Sequence, residues 1–148
     1  MIGPNGAGKS TFVNTITGFY TPDSGRFELS GVPLDGLSPH AIAREGMART
    51  FQNTELFGDM TVLENVMAGY QHRFTYSLLD AALRTPRFLR EEEDCRRAAI
   101  GLLEFVGLND YGNEMARFLP FGLQRRLEIA RALASAPRLL LLDEPAAD

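Results

Sequence analysis

Residues 3–10 read GPNGAGKS and match a G-x-x-x-x-G-K-[ST] spacing in full. The chemistry that spacing suits is capture of a polyphosphate. Glycines at 3, 6 and 8 let the backbone curl tightly and turn successive N–H groups inward. A helix starting at the end of such a loop aims its positive end at the same point. In this reading Gly3, Pro4, Asn5, Gly6, Ala7 and Gly8 form the cradle and Lys9 reaches the β and γ phosphates as a point charge. Ser10 offers a hydroxyl to Mg2+, and Thr11 supports the α-phosphate side.

A second group of reactive side chains closes the chain. LLLLDE at 139–144 places Asp143 and Glu144 at the end of a continuous apolar run. Such a run reads as a central strand buried on both faces. In a doubly wound sheet the carboxyl ends of the strands face the ligand. Asp143 would then hold Mg2+ through water, and Glu144 would polarise an attacking water or take its proton.

Between these groups lie the elements that must position them. Phe12, Val13 and Ile16 share a helical face after Lys9, and Gly18 stops that helix. RFEL at 26–29 predicts a short strand, with Gly31, Pro33 and Gly36 as turn residues. MARTFQ at 47–52 predicts a second strand. Thr61 and Glu64 form a capping box, after which Leu63, Val66, Met67 and Tyr70 line one helical face.

A further helix is predicted over 77–83. The acidic run 91–94 predicts a helix start, because anions favour that end. Ala99, Leu102, Leu103 and Val106 continue that helix to a stop at Gly107, and Leu123, Leu127, Ala130 and Ala134 mark another, ended by Pro137. A helix feeding a buried strand is α/β logic.

The 148 residues suffice for one modest domain. A net charge of −4 argues against nucleic acid as the main partner, since phosphate backbones need clustered positive charge. One cysteine, Cys95, excludes an internal disulfide. No apolar run approaches the ~20 residues that cross a bilayer, so direct membrane insertion is not expected and a membrane role needs a membrane partner.

The order and wording of the motifs carry a resemblance. FLPFGLQRRLEIARALASAPRLLLLDEPAAD (118–148) resembles the signature helix and Walker B region of ATP-binding-cassette (ABC) ATPases, and ARTFQN (48–53) resembles their Q-loop. NTITGFYTPDSG, MTVLENVMAG and QRRLEIARALA are similar to the ATP-binding subunit of branched-chain amino-acid importers, the type with the longer helical insert. The resemblance covers nearly the whole chain. It implies an α/β P-loop nucleoside triphosphatase fold, partial over 1–148, with a helical subdomain inserted over approximately 61–120.

It also implies ATP and Mg2+ as ligands and hydrolysis coupled to import. A second ATPase subunit would face this one head to tail, and permease subunits would hold it at the cytoplasmic face of the plasma (inner) membrane. By the same resemblance Gln52 would touch Mg2+ or the attacking water and relay to the permease. Gly122 would admit the partner's γ-phosphate close to the signature helix, which would begin near Leu123. Arg125, Arg126 and Glu128 look like that helix's polar face, and each arginine is read equally well as solvated or as making a contact. A soluble ABC-type ATPase without a membrane partner, and a degenerate cassette that only binds protein, are the rival readings.

Departures from the family pattern set further expectations. The signature usually reads Leu-Ser-Gly-Gly-Gln, and here 119–123 is LPFGL, with Gln124 following. Pro120 lacks both the hydroxyl and the N–H of a serine, which predicts a weaker γ-phosphate clamp. Family members continue past DEPAA to a strand and a switch histidine and carry an adenine-stacking aromatic ahead of the phosphate loop. His40 and His72 stand too early for the histidine role and read as ordinary residues. Only Met1 and Ile2 precede the loop, so the supporting first strand reads as missing. These differences predict exposed apolar sheet surface, weak nucleotide binding and poor hydrolysis.

Overall fold

The computed structural model describes residues 7–49, 56–71 and 74–142. In chain order the elements are α1 (Lys9–Ile16), β1 (Glu28–Leu29), β2 (Val32–Pro33), α2 (Pro39–Arg44), β3 (Met47–Arg49), α3 (Val62–Ala68), α4 (Leu78–Ala82), α5 (Pro86–Val106), α6 (Phe121–Ala134) and β4 (Leu139–Leu141). β1 and β2 form an antiparallel pair in which Glu28 faces Pro33. Pro33 thus lies in a strand rather than in the predicted turn, and it is tolerated there because this two-stranded ribbon leaves edges that need no ladder donor.

β3 and β4 pair in parallel, Met47 with Leu139, Ala48 with Leu140 and Arg49 with Leu141. Parallel strands need a crossover connection. Here the whole helical region from α3 to α6 lies between them in the chain. The register is held from the start by Gly46, whose carbonyl accepts from Arg138 N at 2.7 Å and Leu139 N at 3.1 Å.

Two apolar cores result. Leu34, Ile42 and Met47 are buried in the first, with Phe27, Leu29, Leu37, Leu139 and Leu141 packed around them. The second joins α3, α5 and α6 through Val62, Val66, Ala99, Leu103, Leu127 and Ala130. Burial of each large side chain contributes about 1.5–3 kcal/mol.

α3 bears out its capping box. Thr61 Oγ1 accepts from Glu64 N at 3.2 Å, and the Glu64 carboxylate accepts from Thr61 N at 2.8 Å. Gly107 ends α5 in the left-handed region at φ 71°. α5 and α6 pack on α3 closely enough that Gly69, just past α3, sits against the carbonyl of Arg131. A Cβ at that position would lie 2.4 Å from Arg131 O and 2.7 Å from Ala134 Cβ.

Three further expectations are corrected. α5 starts at Pro86 with Thr85 as its cap, so the acidic run 91–94 lies beyond the first turn. Thr85 Oγ1 accepts from Phe88 N, and Pro86 needs no donor at the first helical position. Glu91 is instead engaged sideways, accepting from Thr75 Oγ1 at 2.6 Å and Arg87 Nε at 3.3 Å. α6 begins at Phe121 rather than near Leu123. β4 is half-buried rather than enclosed on both faces, and Leu142 beyond it is 42% exposed, because among the described residues β4 has β3 as its one strand neighbour.

Candidate functional site

Ala7, Gly8, Lys9, Ser10 and Thr11 of the phosphate loop are described, while Gly3, Pro4, Asn5 and Gly6 lie outside the described residues. Gly8 caps α1 in the left-handed region at φ 78°, a conformation that costs other residues strain. No side chain caps α1, and its first turn carries no acidic residue. The first helical bond runs from Phe12 N to Gly8 O at 2.9 Å, so the N–H groups of Lys9, Ser10 and Thr11 precede the ladder. Ser10 and Thr11 are exposed at this end and Lys9 is half-buried. N–H groups ahead of the helical ladder, the helix dipole and a lysine make a cationic terminus suited to an anion of several charges. That donor set fits a polyphosphate, and the Ser10 hydroxyl beside it fits a hard cation.

The flank of α1 is fastened to the sheet. Arg49, the last residue of β3, donates from Nη1 to Asn14 Oδ1 at 2.6 Å. Arg49 and Leu141 are register partners, so β3 and β4 run out side by side. Gln52 follows Arg49 by three residues, and Asp143 and Glu144 follow Leu141 by two and three; all three of these predicted site residues lie outside the described residues.

The signature helix is described throughout. Pro120 occupies its N-cap, where its carbonyl accepts from Leu123 N at 2.9 Å and Gln124 N at 3.0 Å. A cap position uses no N–H of its own in the helix, so proline is accommodated there. α6, like α1, has no side-chain cap and no acid in its first turn. Gly122 is exposed, and a Cβ there would meet nothing within 4 Å. Leu123 packs against the helical core, and Gln124 Nε2 donates to Leu119 O at 2.8 Å.

Arg125 makes a contact rather than standing in solvent. It pairs with Glu128 at 2.9 Å, both side chains largely buried, and lies over the Phe121 ring. Arg126 is exposed, as is His40; His72 lies outside the described residues.

Asn65 was missed by the sequence reading. It is fully buried in α3, accepts from Phe57 N at 2.9 Å and donates to Phe57 O and Thr61 O, both at 3.0 Å. It thereby anchors the segment that arrives from the predicted Q-loop. Its signal was available: an amide three residues after Val62 and one before Val66 sits on the apolar face of that helix. The Arg49–Asn14 bond carried no such signal. A cavity of about 860 Å³ beside β3 is lined by Thr17 and Phe19 from the far end of α1, and so does not mark the anion-binding end.

Fold and family profile together define a class: a P-loop ABC-type cassette fold with a helical region inserted between the paired strands β3 and β4. The ABC transporter profile matches residues 1–147, and the chain belongs to that family. It is 47% identical over 147 residues to the high-affinity branched-chain amino acid transport ATP-binding protein BraF of Pseudomonas aeruginosa, covering 99% of this chain and 58% of the relative. It is 45% identical to LivG of Escherichia coli K12, an ATP-binding protein of the same description, again over 99% of this chain and 58% of the relative.

Among solved structures, the ADP conformation of MJ1267, an ATP-binding cassette of an ABC transporter, superposes with a TM-score of 0.76 at 36% identity, covering 99% of this chain and 57% of the other. The chain thus spans a little over half the length of the relatives it matches. Among the described residues no helix is long and apolar enough to cross a membrane.

Proposed function

We propose that the chain is the nucleotide-binding part of an ATPase that drives import of branched-chain amino acids. The observation that carries the ligand class is the uncapped N-terminus of α1 at Gly8, preceded by glycine-rich sequence and tied to the sheet through Asn14 and Arg49. The similarity to BraF and LivG carries the transported class.

In this reading the loop from Gly3 to Thr11 holds the phosphates of ATP, with Lys9 on the β and γ positions. Ser10, Asp143 and Gln52 are the Mg2+ ligands, directly or through water, and Mg2+ neutralises phosphate charge when bound. Glu144 takes the proton of the attacking water. The sheet supports this grouping: Gln52, Asp143 and Glu144 all follow the paired strand ends within three residues, a reach of at most ~10 Å each.

Gly122 and the uncapped start of α6 form the surface offered to the ATP of a second subunit, and permease subunits hold the assembly at the inner membrane. The helices between 61 and 106 supply much of the docking face.

Isothermal calorimetry with Mg-ATP tests the reading. The wild-type chain releases binding heat, and Lys9→Ala lowers affinity at least about tenfold while leaving the circular dichroism unchanged. Equal affinity in the two proteins overturns the assignment of the loop.

A further inference from the structure

Phe121, Arg125 and Glu128 stand at i, i+4 and i+7 on α6 and form one stripe along it. The Arg125 guanidinium lies over the Phe121 ring, 5.2 Å from its centroid, and Arg125 Nη1 pairs with Glu128 Oε2 at 2.9 Å. The side chains of Glu128 and Arg125 are 10% and 19% exposed, whereas Phe121 is 55% exposed. A chain of contacts thus runs from the interior to an aromatic ring at the tip of the helix.

Stability alone does not account for this arrangement. A buried ion pair about breaks even against neutral residues of similar size. This one also leaves Glu128 Oε1 buried with no hydrogen-bond donor among the described residues, which is a further cost. What the pair supplies is direction. Long side chains on a helix lean toward its N-terminus, so Arg125 reaches back toward Phe121 while Glu128 holds it from behind. The planar guanidinium then keeps the ring along the flank of α6.

The ring stands where its orientation matters. Phe121 is the first residue of α6 and the neighbour of Gly122. Leu123 N and Gln124 N both bond to Pro120 O, and proline has no N–H, so the open donors at this end are the N–H groups of Phe121 and Gly122. Gly122 has no side chain and Leu123 packs into the helical core, which leaves the Phe121 ring as the first-turn side chain able to swing across those donors. A ring lying over them would shut out an anion.

We propose that Arg125 and Glu128 are positioning residues that keep the Phe121 ring off the open donors of α6. Their effect on turnover rests on the reading that Gly122 faces the ATP of a second subunit; the brace itself does not.

The test combines nuclear magnetic resonance of the full chain with calorimetry and phosphate release. Arg125→Gln with Glu128→Gln removes both charges together and leaves no unpaired charge inside. In that variant the Gly122 amide proton moves under a new ring current and exchanges at least about threefold more slowly, because the ring shields it from water. Phe121→Ala added to the same variant returns Gly122 exchange to the wild-type rate. Mg-ATP affinity matches the wild type throughout, while phosphate release falls by about tenfold in the charge-free variant and recovers when Phe121→Ala is added. A pair that served stability alone would lower the urea midpoint, and removing the ring would not relieve the loss.

Unchanged Gly122 exchange in the charge-free variant, or no reversal by Phe121→Ala, overturns the proposal. Altered and reversible exchange with unaltered phosphate release upholds the brace and overturns instead the reading that Gly122 meets the ATP of a second subunit.

Discussion

Arg49 closes β3 by donating to Asn14 of α1 across 2.6 Å, which ties the helix behind the phosphate loop to the strand that leads into the predicted Q-loop. The two ends of the site therefore share one fastening. Asn14→Ala leaves the half-buried guanidinium without that acceptor and costs about 1.5–3 kcal/mol, read as a lower urea midpoint. Mg-ATP affinity falls with it, while Arg126→Ala, on the exposed side of α6, changes neither. Unaltered affinity in Asn14→Ala would separate the fastening from ligand binding.

Asn65 holds both the N–H and the carbonyl of Phe57. Asn65→Leu keeps the volume but strands those two polar groups beside a buried core, and stability drops by about 2–4 kcal/mol. Hydrogen exchange localises the damage: amides of 56–61 lose protection before those of α5. Uniform loss across α3, α5 and α6 would show instead that the amide supports the whole helical core.

Two glycines on the same helical unit should behave oppositely. Gly69→Ala drives a methyl against Arg131 O and Ala134 Cβ and lowers stability by about 1–3 kcal/mol. Gly122→Ala meets open space in the first turn of α6 and leaves stability unchanged or raises it by up to about 1 kcal/mol. Under the proposed function its effect belongs to the approach of a second subunit, expected as slower ATP turnover. A large loss of stability in Gly122→Ala would show that the position serves this chain's own packing.

Acid should weaken the helical region. Backbone and side-chain hydrogen bonds from Thr61 hold Glu64 below its usual 4.5, and Ser77 does the same for Asp80 below 3.8. The hydroxyl and backbone N–H of Thr75 hold Glu91 below 4.5. Each group binds its proton less readily folded than unfolded, so its contribution is complete above about pH 4.5 and is lost as pH falls through the lowered values. Urea midpoints are therefore level near neutrality and decline below about pH 4.5. Glu64→Gln makes that decline shallower, and an identical acid limb would remove the capping box as its cause.

The helix starts and stops were largely legible in the chain because their signals are local. Lysine and serine after glycine mark a helix start, and α1 begins at Lys9 as the spacing required. The Thr61–Glu64 box and the Gly107 stop are local hydrogen-bond and dihedral preferences, and both stand in the structure. The α5 start was misplaced for a related reason: charge near a helix end is a weak bias, and Thr85 with Pro86 supplied a stronger local instruction.

Other features depended on partners remote in sequence. Apolarity of Leu139–Leu142 could specify a strand, but its burial depended on how many strands lie beside it, which no single segment encodes. The Asn14–Arg49 bond joins residues 35 apart. The outward face of α4 likewise reads as an ordinary leucine-rich helix until its packing on α5 shows which side is turned in. Caps, helix stops and family membership were thus determined by the sequence itself, because short-range spacing carries them. Strand environment, cross-element fastening and the direction of amphipathic faces were decided by the tertiary structure, because each needs distant segments brought into contact.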